Sequence, residues 1–195
     1  MTNKQLYDFC IKQLNTMGRI SLDSIPNIDL YMDQVTTFMD KHLSNTKRTD
    51  NDKILTKTMI NNYAKNDLLP PPNKKKYSKD HILFLIFIYY YKNFLSIGDI
   101  HSVLQPLHDS FSGTLTSKNL SEIYEEVFSF EHIQMDSLRK DIEEKFNLSQ
   151  SSFLDASEEE RETLQRFAFI CMLSFDVYLK KQMIETLIDE TKEKK

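Results

Sequence analysis

The chain has no tryptophan, and glycine (3), proline (5) and cysteine (2) are scarce among its 195 residues. An all-β chain needs a turn signal about every eight to twelve residues, and so few glycines and prolines cannot supply them. Helix is the default. Cys10 and Cys171 lie far apart in apolar stretches, which excludes a disulfide framework and a cysteine-rich metal site and suits a reducing cytoplasm. With Phe169, Ile170 and Leu173 around it, Cys171 reads as inert core. The histidines, His42, His81, His101, His108 and His132, form neither a His-x-x-x-His nor a His-Glu-x-x-His spacing, so no metal site is expected and each reads as a surface or half-buried polar residue. There is no phosphate-cradling glycine loop and no Gly-x-Ser-x-Gly elbow. Neither a cofactor nor an enzymatic activity is expected. The longest apolar run, residues 82–91, has ten residues, about half of what a bilayer-spanning helix needs, and reads as a buried helix. The opening "MTNKQLYDFC" lacks the apolar region of a signal peptide, so a cytoplasmic location with no membrane partner is expected.

Apolar residues make up 40% of the chain and aromatics 11%, ample for a packed core. Charge is uneven. Residues 1–40 carry 3 basic and 5 acidic side chains, residues 41–80 carry 10 and 4, and residues 81–195 carry 12 and 20. The basic block centres on "NDLLPPPNKKKYSKD", residues 66–80, where three prolines meet three lysines. A solvated lysine-rich loop and a polyanion site both fit that charge.

Helical spacing of Leu6, Phe9, Cys10, Gln13 and Leu14 predicts a short amphipathic helix over 3–14. Asp29 is a candidate N-cap for a helix to about Leu43, with Leu30, Tyr31, Val35, Phe38, Met39, His42 and Leu43 inward and Asp33, Gln34, Thr37 and Lys41 outward. After the polar segment 44–52, a short helix from Thr56 or Thr58 to about Asn66 points Leu55, Met59, Ile60 and Tyr63 inward. The prolines end it and extend the chain. Ser78 caps a third helix, with Asp80 in its first turn, and Ser96 a fourth that reaches Pro106. "DSFSGTLTS", residues 109–117, reads as a linker. Helices follow at about 118–130 and 133–146, then a long one from about Ser157, where "SEEE" resembles a capping box. Residues 167–179 are apolar almost all round, which predicts burial within its module or in a dimer. The last residues, "DETKEKK", are expected to fray.

The order helix, polar loop, short helix, proline-plus-lysine loop, helix resembles a winged helix-turn-helix. "MINNYAKNDLLPPP", "KKY" and "FLSIGDI" are similar to the DNA-binding half of the mercury-resistance regulator (MerR) family: Leu68, Leu69 and Pro70 match its exit from the second helix, Lys75 to Tyr77 the end of its basic wing, and Phe94 to Ile100 its later turn. The chain has Asn61, Asn62 and Tyr63 where that family has Arg-Tyr-Tyr, and Asp67 where it has Gly. "LYMDQVTTFM", "LTKTMINNYAKN" and "KKKYSKDHILFLI" resemble more closely a bacterial family catalogued as a domain of unknown function and thought to comprise regulators related to the mercury-resistance family. This resemblance covers roughly residues 20–108.

The helical patterning and the resemblance together predict an all-α chain: a MerR-like winged helix-turn-helix N-terminal domain over 1–108, its core about 28–105, then the linker, then, beyond the reach of the resemblance, a helical module over 118–195 for dimerisation or effector sensing. A helix-turn-helix lays its second helix in the major groove. Lys57, Thr58, Asn61, Asn62, Lys65 and Asn66 suit that face, since an amide pairs bidentately with adenine and a lysine reaches guanine. Lys74, Lys75 and Lys76 suit phosphates, and Tyr77 closes the basic loop by packing under it. The expected partners are double-stranded DNA, a second copy in a homodimer, and a small-molecule or protein effector. The expected role is a transcription regulator, a repressor rather than an activator because blocking a promoter asks less of a protein than remodelling one. The alternative is a non-enzymatic adaptor that keeps the winged fold and binds an acidic protein.

Overall fold

The structure is a computed structural model that describes residues 1–111 and 118–192. It is mostly helical: α1 (Asn3–Leu14), α2 (Met32–Leu43), α3 (Lys57–Lys65), α4 (Lys79–Tyr91), α5 (Ile97–Phe111), α6 (Leu120–Ser129), α7 (Glu131–Gln150) and α8 (Glu158–Lys192). Two short strands, β1 (Leu30–Tyr31) and β2 (Lys76–Tyr77), pair antiparallel, with Leu30 opposite Tyr77 and Tyr31 opposite Lys76. The chain divides into two compact units, one of Met1–Gly18 with Phe130–Thr186 and one of Arg19–Ser129 with Leu187–Lys195.

The second unit is built around α4. Ile82 to Tyr89 are all buried, so the longest apolar run lies along the axis of a core. No helix among the described residues is long and apolar enough to cross a membrane. Helix α6 joins this core: the Phe87 ring lies 5.7 Å from that of Tyr124 and 6.0 Å from that of Phe128. The Tyr124 hydroxyl, fully buried, donates to the Ile20 carbonyl at 2.7 Å. Without that partner a buried phenol would cost roughly 1–3 kcal/mol. Helix α6 therefore belongs with residues 19–111, whereas sequence reading groups it with the C-terminal module.

The other unit sets α1 against α7 and α8. Tyr7 stacks on Phe146 at 4.4 Å, and Phe146 meets Phe169 edge-on at 5.6 Å. The Asn3 N–H donates to the Glu162 carboxylate at 2.9 Å and the Asn3 amide to the Glu162 carbonyl at 2.9 Å, while Arg166 donates back to Asn3 at 3.0 Å. Residues 1–18 thus pack with the C-terminal helices rather than with the 28–105 core.

Several local expectations need correction. Helix α1 turns Asn3 and Tyr7 inward and leaves Phe9 and Cys10 exposed, because Tyr7, not Phe9, meets the aromatic ring on α7. The N-cap of α2 is Tyr31 rather than Asp29, and its N–H donates to the Gln34 side chain at 2.8 Å: pairing with β2 keeps the chain extended through Tyr31. Pro106 lies inside α5. Its ring removes one helical hydrogen bond, but buried Leu104 and the contact of His108 with Phe84, ring centroids 4.7 Å apart, carry the helix across it. The expected linker begins in the last residues of α5, and its residues 112–117 lie outside the described residues. His81 is buried, not a surface group. Cys171 is exposed, since α8 is apolar on a side that α1 and α7 do not cover.

Candidate nucleic-acid interface

Helix α3 forms because both ends are closed. The Thr56 hydroxyl accepts from the Met59 N–H at 3.1 Å, satisfying one of the amides that a helix start leaves unpaired. At the other end Asp67 adopts φ 54°. The Leu68 N–H reaches the Tyr63 carbonyl at 2.9 Å and the Asp67 N–H the Ala64 carbonyl at 3.4 Å, the paired bonds of a Schellman stop. Ile60 and Tyr63 are buried and anchor the helix. Lys57, Thr58, Asn61, Asn62, Lys65 and Asn66 are all exposed. The Asn66 side chain donates to the Asn62 carbonyl at 2.7 Å, so one of its two donors is already in use.

Leu68, Leu69 and Pro70 are buried beyond α3 and fix where the basic loop leaves the core. The chain then makes a tight turn over Asn73–Lys76, closed by the Lys76 N–H donating to the Asn73 carbonyl at 2.8 Å. Its central residues, Lys74 and Lys75, have φ 48° and 64°, the left-handed pair of a type I′ turn that ordinarily takes Asn-Gly. Each lysine there costs roughly 1–2 kcal/mol relative to right-handed backbone. Both side chains are exposed. The sequence accepts strain to place adjacent ammonium groups at a rigid tip.

Two anchors hold that tip. Lys76 lies opposite Tyr31 across the ladder, its ammonium 5.3 Å from the ring centroid, a cation–π contact. Tyr77 is only 3% exposed and meets His81 edge-on at 5.6 Å, and burial raises its hydroxyl pKa. It supports the loop and does not reach the surface that a polyanion would touch. His81 completes the support. Its Nδ1 accepts from the Ser78 N–H at 3.1 Å and the Ser78 hydroxyl at 2.7 Å, which leaves the proton on Nε2, 3.4 Å from the Pro71 carbonyl. Burial pushes the imidazole below the ordinary histidine value, against the opposing pull of the Pro71 carbonyl and of Asp80 and Asp29.

The start of α2 links the two basic elements. Lys57, in the first turn of α3, makes an ion pair with Asp33. Two residues earlier Tyr31 carries Lys76. Residues 31–33 thereby tie the head of α3 to the basic turn. Lys65 and Asn66 sit at the opposite end of α3, about 12 Å along its axis from Lys57 at the usual helical rise. Tyr31, Asp33 and His81 are absent from the residues that sequence reasoning selects. Tyr31 and Asp33 read as ordinary parts of an amphipathic helix, and no local pattern announces the β1–β2 pairing that gives them their place.

Residues 20–127 match the family described as domain of unknown function DUF1836. The chain belongs to this family. The match runs past residue 108 to take in most of α6 and falls within Arg19–Ser129 of the second unit. The DUF1836 domain thus carries its own core, the two-stranded ladder, α3 and the basic turn. No curated protein and no solved structure matches the chain.

Proposed function

We propose that the DUF1836 domain of this protein is a winged helix-turn-helix that binds double-stranded DNA, and that the chain is a cytoplasmic, non-enzymatic transcription regulator acting as a repressor. In this reading α3 enters the major groove, presenting Asn61, Asn62, Lys65 and Asn66 to base edges, with Lys57 and Thr58 near the backbone. Lys74 and Lys75 take phosphates from the turn, with Lys76 beside them. The observation that carries the reading is the left-handed turn at Lys74 and Lys75. A loop with no task at its tip has no reason to hold two lysines where glycine fits better, and backbone strain of this kind concentrates at functional sites. The order of elements, two helices followed by a proline-led basic turn and a third helix, supports it too.

The acidic remainder of the chain orients the basic face toward a polyanion. A dimer engaging about six to eight phosphates would show a log–log salt slope of roughly −5 to −7. The test is fluorescence anisotropy with the chain's own upstream DNA and a scrambled duplex across a salt series, for wild type and a Lys74/Lys75/Lys76→Ala variant. Upstream-selective binding that the variant weakens, with a shallower slope, supports the regulator. A flat salt response sinks it.

A second reading has its own observation. Beside β1 lies a groove of about 360 Å³ whose apolar lining comes from Pro26, Leu30, Thr37 and Phe38, with Asp33, Gln34 and Lys41 also along it, and with Ile28 exposed nearby in sequence. That favours an adaptor that keeps the winged fold and docks a protein. Absence of DNA binding at low salt together with capture of a partner through the groove would select it.

A further inference from the structure

Helix α8 has a covered side and a bare one. Phe169 faces Phe146, Lys145 reaches Asp176 at 2.8 Å, and the Gln165 amide donates to the Gln150 and Ser152 carbonyls. On the opposite side Phe167, Phe175 and Tyr178 are 63%, 59% and 56% exposed, and Cys171 is exposed with them. Water-facing aromatics at this density on one helix face mark an interaction surface rather than scattered apolar residues.

The bare side has a heptad register. Leu164, Cys171, Tyr178 and Glu185 fall at successive a positions and Phe167, Ser174 and Lys181 at d positions, spacings that place them on one seam. The seam is symmetric about the point between Met172 and Leu173. Two small residues, Cys171 and Ser174, lie next to that point, and two aromatics, Phe167 and Tyr178, lie beyond them. A second α8 running the opposite way therefore sets Cys171 against Ser174 and Phe167 against Tyr178, small on small in the middle and ring on ring outside. Lys181 then lies against Leu164 of the other copy, one turn from its Glu160, so that the stem covers an apolar side chain and the ammonium nears a carboxylate. The same register sets Glu185 against Glu160 of the other copy, with Lys181 paired to its own Glu185 beside them; a parallel pair would instead set Lys181 against Lys181, Glu160 against Glu160 and Glu185 against Glu185.

We infer that this chain forms an antiparallel homodimer through the Phe167–Tyr178 face of α8, its two-fold axis passing between Met172 and Leu173. An isologous seam of this kind needs no second partner type, because each copy supplies both halves of every layer. With aromatic side chains of about 150–250 Å² each, the exposed parts of Phe167, Phe175 and Tyr178 and of the flanking Ile170 and Val177 offer roughly 500 Å² per copy, or about 1,000 Å² for the pair, the least that a specific interface needs. The inference does not rest on DNA binding, and a failure of one leaves the other standing.

The experiment is analytical ultracentrifugation of the full chain at micromolar concentration. Twice the 23.1 kDa monomer mass is expected for wild type. Phe167→Glu and Tyr178→Glu, at positions that the monomer already exposes, should each give monomers with unchanged circular dichroism. A monomeric wild type, or a dimer that survives both substitutions, overturns the inference. Orientation is read separately with Phe167 and Tyr178 kept, from a spin label on Thr163→Cys in a Cys10→Ser, Cys171→Ala background, where the second change exchanges one small seam residue for another. Antiparallel pairing places the two labels about 30 Å apart, at the helical rise and usual interaxial distance. A separation of about 10–15 Å would mean a parallel pair and overturn the geometry.

Discussion

His81 Nε2 lies 3.4 Å from the carbonyl oxygen of Pro71, while Nδ1 of the same ring accepts from the Ser78 N–H at 3.1 Å. One neutral imidazole thus joins the proline end of the basic loop to the cap of α4. The bond from the Ser78 N–H exists only with Nδ1 unprotonated, so protonation breaks that half of the cap, while the Ser78 hydroxyl still accepts from the His81 backbone N–H. The folded pKa of His81 is depressed by burial. The unfolded chain therefore takes up a proton first as pH falls below about 6.5. Stability is whole above that value, declines toward the folded pKa and levels below it, with a slope of at most about 1.4 kcal/mol per pH unit from this group. His42, also lowered by burial, adds a second contribution of the same sign. Urea midpoints measured from pH 7.5 to 5 should fall for wild type and fall less for His81→Gln. Equal slopes for the two would remove His81 from the account.

Lys74 and Lys75 separate stability from binding. Lys74→Asn with Lys75→Gly gives the turn its preferred pair, and the double variant should be more stable than wild type by about 1–2 kcal/mol. If the lysines hold phosphates, its DNA affinity should drop at least tenfold and, for a dimer, its salt slope should become shallower by roughly 3 to 4. A variant that gains stability and keeps full affinity would mean that the tip does not touch DNA.

Asp67 occupies the left-handed stop of α3 with φ 54°. Glycine carries no steric penalty there, so Asp67→Gly should stabilise the fold by about 1 kcal/mol, read from thermal or urea unfolding. It also removes a negative charge from the exit of α3, so, if α3 enters the major groove as proposed, DNA affinity should hold or rise. A loss of stability would show that the aspartate side chain contributes more than its backbone costs.

How much of this was legible beforehand depended on whether the signal was local. The caps at Thr56 and Ser78, the stop before the prolines and the inward set Ile60 and Tyr63 follow from spacing and cap chemistry, and the structure places them as expected. Other features depend on partners far along the chain. Strands β1 and β2 are two residues each, too short for alternation to register, and Tyr31 acquires its role only because Lys76 lies opposite. Tyr7 finds Phe146 across more than a hundred positions, which no window of α1 could show. Helix α8 is apolar on nearly every side, so periodicity was silent about which side is covered, and Cys171 read as core for that reason.

Asp33 lies between the two basic elements and pairs with Lys57, both side chains mostly exposed. Such a pair contributes under about 1 kcal/mol to stability, so Asp33→Asn should unfold much like wild type. Its effect should appear in binding. If the proposed DNA face is right, releasing Lys57 and deleting an anion beside it should raise affinity roughly two- to fivefold at low salt, with the gain fading as the Debye length shortens. No change at low salt would put Lys57 outside the interface.

The proposal that α3 reads bases rests on Asn61 and Asn62. Both are exposed, and alanine suits a helix interior at least as well, so Asn61→Ala/Asn62→Ala should fold with unaltered stability. A good bidentate amide–adenine pair discriminates by about 1–3 kcal/mol. Selection of preferred sites from a random duplex pool should therefore give wild type a defined sequence and the double variant a degenerate one at the positions these amides read. Their non-specific affinity and salt slope should match, because the proposed phosphate contacts at the basic turn are untouched. If the two proteins select the same sequence, another surface reads the bases. If wild type selects none while the wing variant still loses affinity, the domain grips DNA without reading it, and specificity must come from a partner.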